Sequence, residues 1–150
     1  MSTSPYVAEI DEAVCEVLES MCFLSAEADP EPAPGSFGFA RRLSFDGPLK
    51  GSFGVRTSSD AASTIACNLL GDELDEITPE QIGDSIGELA NMLCGAVLCR
   101  IELKRAFTLG KPVEDEESTP GPNGNPHHVV RQFNVDGGCL QTWLEINGAA

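Results

Sequence analysis

The sequence predicts an α+β fold in which an antiparallel sheet is packed by long helices. Three observations carry this prediction. Stretches at 5–25 and 79–104 repeat apolar residues at helical spacing. Extended runs come in pairs joined by turn signals, Asp46-Gly47-Pro48-Leu49 and Asp136-Gly137-Gly138. The strand–helix–strand alternation that builds parallel sheets is missing. The element order reads α-β-β-α-α-β-β-β. A chain of 150 residues fits one domain, taken here as 1–150.

The first helix, 5–25, has Val7, Ile10, Val14, Val17, Leu18 and Met21 on one side. Glu9, Glu12, Glu16 and Glu19 line the other. Asp29-Pro-Glu-Pro-Ala-Pro-Gly35 ends it as a loop. Residues 36–45 and 50–57 alternate apolar and polar side chains and form a β-hairpin. Ser59 or Asp60 caps a second helix over about 60–70, and Gly71 stops it. An acidic linker, 72–77, leads to Thr78-Pro79-Glu80-Gln81. Thr78 is an N-cap, Pro79 suits the first helical position and Gln81 completes a capping box. That helix runs to about 104. Residues 106–114 are extended around Pro112, and 115–126 form an acidic Pro/Gly loop. Strands 128–135 and 139–147 close the chain, with 1–4 and 148–150 frayed.

Composition excludes several function classes. Acidic residues number 24 against 9 basic ones, a formal charge of −15. No basic surface is left for nucleic acid or an anionic membrane. No continuous apolar run reaches the ~18 residues of a membrane span, and the N-terminus has no basic, apolar leader pattern. The six cysteines form no CxxC pair and no zinc spacing, so a metal site is not expected and a reducing cytoplasm is. His127 and His128 sit in a Pro/Gly context without convergent ligands. Trp143 alternates with Leu140 and Leu144 and reads as core or dimer surface. Adjacent Arg41 and Arg42 point to opposite faces of a strand, and one of them is placed to pair with an acidic helix.

Residues 84–95, DSIGELANMLCG, carry the candidate site. At about 100° per residue, Ile82, Ile86, Leu89, Ala90, Leu93 and Val97 share one arc of about 100°, the core face. Asp84, Glu88, Asn91 and Gly95 share an opposite arc of about 60°. Glu88 and Asn91 are i, i+3 neighbours. An acidic protein often exposes such a row to water alone. Asn and Gly, however, are poor helix-interior residues that a merely solvated face does not need. Gly87 and Gly95 beside the acids leave room for another surface.

The stretch IGELANMLCG resembles the signature helix of the CheC/CheX family of chemotaxis response-regulator phosphatases. That signature is an acid or serine, three residues, Glu, two residues, Asn, and a Pro some twenty residues on. Here these are Asp84, Glu88, Asn91 and, after 20 intervening residues, Pro112. KGSFGVRTSSDAASTIACNLLG (50–71), VLESM (17–21) and QTWLEING (141–148) are similar to other parts of the family pattern. CheC-type members carry two signature helices. Here the counterpart, helix 5–25, offers Glu12, Glu16 and Glu19 but no asparagine. The resemblance therefore points to the one-site, CheX-like branch, which implies a CheC-like fold and a homodimer formed through the sheets.

The resemblance implies hydrolysis of an aspartyl phosphate on a response-regulator receiver domain of CheY type, in chemotaxis or two-component signalling. The protein would need no cofactor of its own; Mg²⁺ is expected on the partner receiver. Asn91 would orient the attacking water and Glu88 would dock to the receiver's lysine. Asp84 would either extend the contact or face water, Gly95 would admit the partner surface, and Pro112 would shape the strand beside the site. The alternative is a non-catalytic module of the same fold that binds a receiver or scaffold. The acidic segment after Pro112 departs from the apolar continuation usual in the family.

Overall fold

Alternation along the strands and 3.6-residue spacing along the helices sort the apolar side chains to one side of a single sheet. The computed structural model describes residues 6–28, 38–101, 107–114, 128–135 and 138–149. The helices are α1 (Val7–Met21), α2 (Ser59–Leu70) and α3 (Pro79–Ile101). The strands are β1 (Ala26–Ala28), β2 (Phe39–Asp46), β3 (Leu49–Thr57), β4 (Thr108–Leu109), β5 (Val113–Glu114), β6 (His128–Val135) and β7 (Gly138–Ala149). Sheet order is β1-β6-β7-β3-β2-β4, with β5 also on the outer edge of β2, and every pairing is antiparallel. The expected α+β class and helix-covered antiparallel sheet are observed.

All three helices contribute to one core with the inward residues of the sheet. Ile10, Val14 and Leu18 of α1, Ile65 of α2, and Ile86, Leu89 and Leu93 of α3 meet Phe53, Phe133, Leu140 and Leu144, all fully buried. Helix α3 packs against both α1 and α2 and lies over β2 and β3. It is the one helix among the described residues long and apolar enough to cross a membrane, yet 56% of its apolar window is buried inside the fold. Its hydropathy is that of a core helix. On the opposite sheet face Trp143 lies flat over Gly54, where a Cβ would strike the indole. The Arg56 guanidinium sits 5.3 Å from the ring centroid.

Several boundaries differ from expectation. Helix α1 starts at Val7 and ends at Met21, four residues early, because Phe23 turns left-handed at φ 58°. The Leu24 amide then bonds back to the Leu18 carbonyl at 2.9 Å. The chain beyond this corner forms β1, absent from the expected order, which pairs with residues 133–135 of β6. Ser58, not Ser59 or Asp60, caps α2. Its hydroxyl oxygen accepts from the Ala61 amide at 3.3 Å and from the Cys139 amide at 3.1 Å. Gly71 ends α2 at φ 72°, the left-handed conformation expected there. The piece 106–114 is two short strands, β4 and β5, both on β2. Residues 148 and 149, expected to fray, pair with Lys50 and Leu49. His128 opens β6 and is not part of a loop. The expected N-terminal fraying at 1–4, the loops 29–35 and 115–126, the last turns of α3 at 102–104 and His127 lie outside the described residues.

The start of α3 matches expectation closely. The Gln81 amide donates to Thr78 Oγ1 at 3.1 Å and the Thr78 amide to Gln81 Oε1 at 2.9 Å, a reciprocal capping box. Thr78→Ala is expected to lower stability by about 1 kcal/mol, read as a lower urea midpoint at unchanged slope. A midpoint equal to wild type would assign the cap no part in holding α3. Arg131 of β6 donates two bonds to Asp11 of α1, Nε at 2.9 Å and Nη2 at 2.7 Å. This hydrogen bonding, more than it is opposed by burial, raises the Arg131 pKa and fastens α1 over the sheet edge.

Candidate functional site

The capping box and the core arc fix the rotation of α3, and with it the polar row. Asp84 and Glu88 are exposed, while Asn91 and Gly95 are half-buried. The Cα atoms of Glu88 and Asn91 are separated by about 4.5 Å of helix rise. Among the described residues none forms an ion pair with Asp84 or Glu88 or a side-chain hydrogen bond with Asn91. Two carboxylates and a carboxamide thus stand on one face with their bonding capacity unspent. That arrangement can accept a cation at the carboxylates and both accept and donate at the carboxamide.

The flank of the row is built by the protein's own chain. The buried arc of α3 is wider than periodicity indicated, since it also takes in Gly83, Ser85, Gly87, Cys94 and Leu98. Gly87 does not await a partner. A Cβ there would lie 3.3 Å from the Pro112 Cβ and 3.9 Å from Arg41 Cγ, so Pro112 fills the space. Pro112 sits between β4 and β5, and Phe107 holds that segment by an edge-on contact with Phe45, centroids 5.9 Å apart. Pro112 therefore braces the helix one residue before Glu88. Gly95 is more open, for a Cβ there would meet only Leu109, at 3.9 Å. Arg41 lies against Gly83 and donates to its neighbour's carbonyl, Ala40 O, at 2.8 Å. Neither Arg41 nor Arg42 forms an ion pair with an acidic helix among the described residues.

The acids of α1 are engaged from elsewhere. Arg100 near the end of α3 pairs with Glu16 and reaches Glu12 at 3.9 Å. This cation was missed in the sequence because its partners lie 84 and 88 residues away in the chain. Buried Cys94, on the inner side of the site helix, has its thiol pKa pushed up to about 12 by desolvation, and Cys22 to about 11. Both behave as small apolar side chains and not as nucleophiles. No group of three His, Cys, Asp or Glu residues able to hold a metal occurs among the described residues.

A cleft of about 410 Å³ opens beside the row. Met21 ends α1, Leu69 and Leu70 end α2, and Asp84, Glu88 and Met92 supply the α3 wall. No local signal predicts it, because it forms where the ends of two helices meet the middle of a third.

Comparison with known proteins places this geometry. The family described as chemotaxis phosphatase CheX matches residues 40–127, more than half of the chain and the whole of α3. Among curated proteins none matches the sequence. The crystal structure of chemotaxis protein CheX from Vibrio vulnificus superposes with a TM-score of 0.74 at 19% identity, covering 98% of this chain and 99% of that one. CheX in the CheX–CheY–BeF₃–Mg²⁺ complex from Borrelia burgdorferi gives 0.68 at 17% identity, over 97% and 99%. FliY of Thermotoga maritima is similar at 0.55 and 15% identity, over 95% and 91%. At these identities the structures speak for the fold alone, which they share from end to end. The family match, over a segment that holds the hairpin, the braced helix and its polar row, decides membership: the chain belongs to the CheX family of chemotaxis phosphatases.

Proposed function

We propose that the protein dephosphorylates an aspartyl phosphate on a CheY-like receiver domain, with Asn91 orienting the attacking water and Glu88 docking to the receiver's lysine. The observation that carries this reading is the unpartnered pair of exposed Glu88 and half-buried Asn91 on one face of a helix whose rotation is fixed by its cap, its core arc and Pro112. The partner class has support from the fold-related CheX captured with CheY and Mg²⁺.

The chemistry asks little of the phosphatase. A receiver supplies the phosphoryl group, a Mg²⁺ and a lysine, so most charge stabilisation is already present. What is missing is an aimed water. Asn91 Oδ1 accepts a hydrogen bond from the water, while its Nδ2–H donates to a phosphoryl oxygen. Water attacks phosphorus in line and the acyl-phosphate P–O bond breaks. The receiver's aspartate leaves as carboxylate, and inorganic phosphate departs as H₂PO₄⁻ with both of the water's protons. A carboxylate at position 91 would repel the phosphoryl oxygens. Glu88, one turn earlier, fixes the register by meeting the lysine, and Asp84 extends the acidic contact. Gly95 keeps the far end of the row low, so the receiver can approach.

The test is phosphate release from a Mg²⁺-loaded receiver domain driven by a small phosphodonor, with and without the protein. Faster release supports the enzyme. Binding without acceleration would instead make the protein a receiver-binding module. Glu88→Lys is expected to raise KM by about ten-fold or more, with kcat at saturation changed little. A loss confined to kcat would contradict the docking role. The same reading places the protein in the cytoplasm with its receiver, and as a homodimer through the sheets. Analytical ultracentrifugation, with a single species near 32 kDa expected (twice the 15.9 kDa chain), checks the latter.

A further inference from the structure

The cleft beside the row is apolar on one side and acidic on the other. Met21 is 48% exposed and Leu70 46%, unusual for large apolar side chains next to a well-formed core. With Leu69 they stand across from the α3 wall, where half-buried Met92 follows Asp84 and Glu88. None of the described lining residues is Lys, Arg or His, so the cleft wall bears uncompensated negative charge. The corner after Met21 is held firmly in place. Asn68 Nδ2 of α2 donates to the Cys22 carbonyl at 2.6 Å, and left-handed Phe23 keeps 76% of its surface in solvent. Phe23 thus adds a further exposed apolar side chain just after α1.

Charge decides among occupants. A second copy of this chain, at a net charge of −15, would bring acid against acid. An occupant with an apolar side chain next to a basic one fits both walls. Glu88 belongs to the cleft and to the polar row at once, and Met92 stands one turn beyond it. A lysine that reaches Glu88 therefore carries its neighbouring surface over Leu70 and Met21. We propose that this cleft is the second half of the receiver-docking surface, in which an apolar side chain flanking the receiver's basic contact lodges among Met21, Leu69, Leu70 and Met92. The inference rests on the receiver-phosphatase reading above. The two thioethers give the cleft an adaptable lining, suited to holding a partner for the length of one turnover. The cleft supplies affinity and orientation, and the row supplies the chemistry.

The test titrates a CheY-like receiver domain, loaded with Mg²⁺ and beryllofluoride, into wild type and into the Met21→Gln/Leu70→Gln double variant. Phosphate-release kinetics are run beside it. The double variant is expected to weaken Kd by about ten-fold, the equivalent of about 1.4 kcal/mol, with KM rising in parallel and kcat within two-fold. Both side chains are about half exposed, so thermal unfolding should be near wild type. Met21→Leu/Leu70→Met, which keeps the apolar surface, should restore wild-type Kd. Equal Kd in wild type and the Gln variant, or no restoration by the apolar variant, overturns the docking cleft and leaves the phosphatase reading standing. A wild type that neither binds nor dephosphorylates any receiver overturns both.

Discussion

Asn91→Ala is expected to reduce receiver dephosphorylation by about 10²–10³-fold in kcat, with Kd for the beryllofluoride-loaded receiver within about two-fold of wild type. The size follows from the division of labour. If the receiver already holds its Mg²⁺ and lysine, positioning one water is nearly all that the phosphatase adds, and removing the carboxamide removes that addition. The fold has no reason to respond. Asn91 is half-buried and bonds to no other described side chain or backbone group, so alanine leaves no orphaned partner and slightly favours the helix. Asn91→Asp should be at least as inactive, since it retains the volume but turns the donor into a repelling oxygen. Activity recovered by Asp would indicate general-base chemistry in place of water orientation.

Leu93→Ala, two residues along the same helix, is expected to do the reverse. Leu93 is fully buried on the core arc of α3, opposite the row. Truncation removes apolar contact and leaves a cavity between α3 and its neighbours, at a cost of about 2–5 kcal/mol. For a chain of this size that lowers Tm by roughly 5–15 °C. Well below the new Tm, kcat should stay within a few-fold of wild type, because the outer face keeps its cap and its Pro112 brace. Urea unfolding and kinetics on one preparation separate the two effects. A Leu93→Ala protein with wild-type Tm would mean that α3 is not the packed centre of the fold.

What could be read from the sequence was whatever local spacing encodes. Thr78, Pro79 and Gln81 lie within one turn, so the start of α3 was visible and is found as expected. Asp84, Glu88, Asn91 and Gly95 fell on one face because helical periodicity is rigid, and the structure keeps them there. Distance along the chain hid the rest. Three consecutive residues, Ser58, Ser59 and Asp60, can all cap a helix; the Cys139 amide, 81 residues away, is held by the first of them. Strand β1 has three residues and no periodicity of its own, and exists because residues 133–135 pair with it. The role of Gly87 was read as openness to a partner, whereas Pro112 from the β4–β5 segment fills that space. The docking cleft was invisible for the same reason: Met21 and Leu70 look like ordinary last-turn apolar residues until two helix ends converge on α3.

The charge balance gains a location from the structure. Glu12 and Glu16 of α1 are taken up by Arg100, and Asp11 by Arg131. Asp84 and Glu88 stay free beside the only carboxamide of the row. Of the three acids of α3, Glu80 stands in the first turn, while Asp84 and Glu88 lie next to the proposed chemistry. Helix α1, which lacks an asparagine, has Asp11, Glu12 and Glu16 engaged by arginines.

The most direct measurement is a single-turnover one. A receiver domain is phosphorylated, freed of phosphodonor and mixed with an excess of this protein in Mg²⁺, and loss of the acyl phosphate is followed in time. Wild type is expected to speed that loss by at least about 10²-fold, the contribution of one well-placed water, and Asn91→Ala to return it to the receiver's own rate. Decay at the receiver's own rate with wild-type protein bound, or undiminished acceleration by Asn91→Ala, would contradict it.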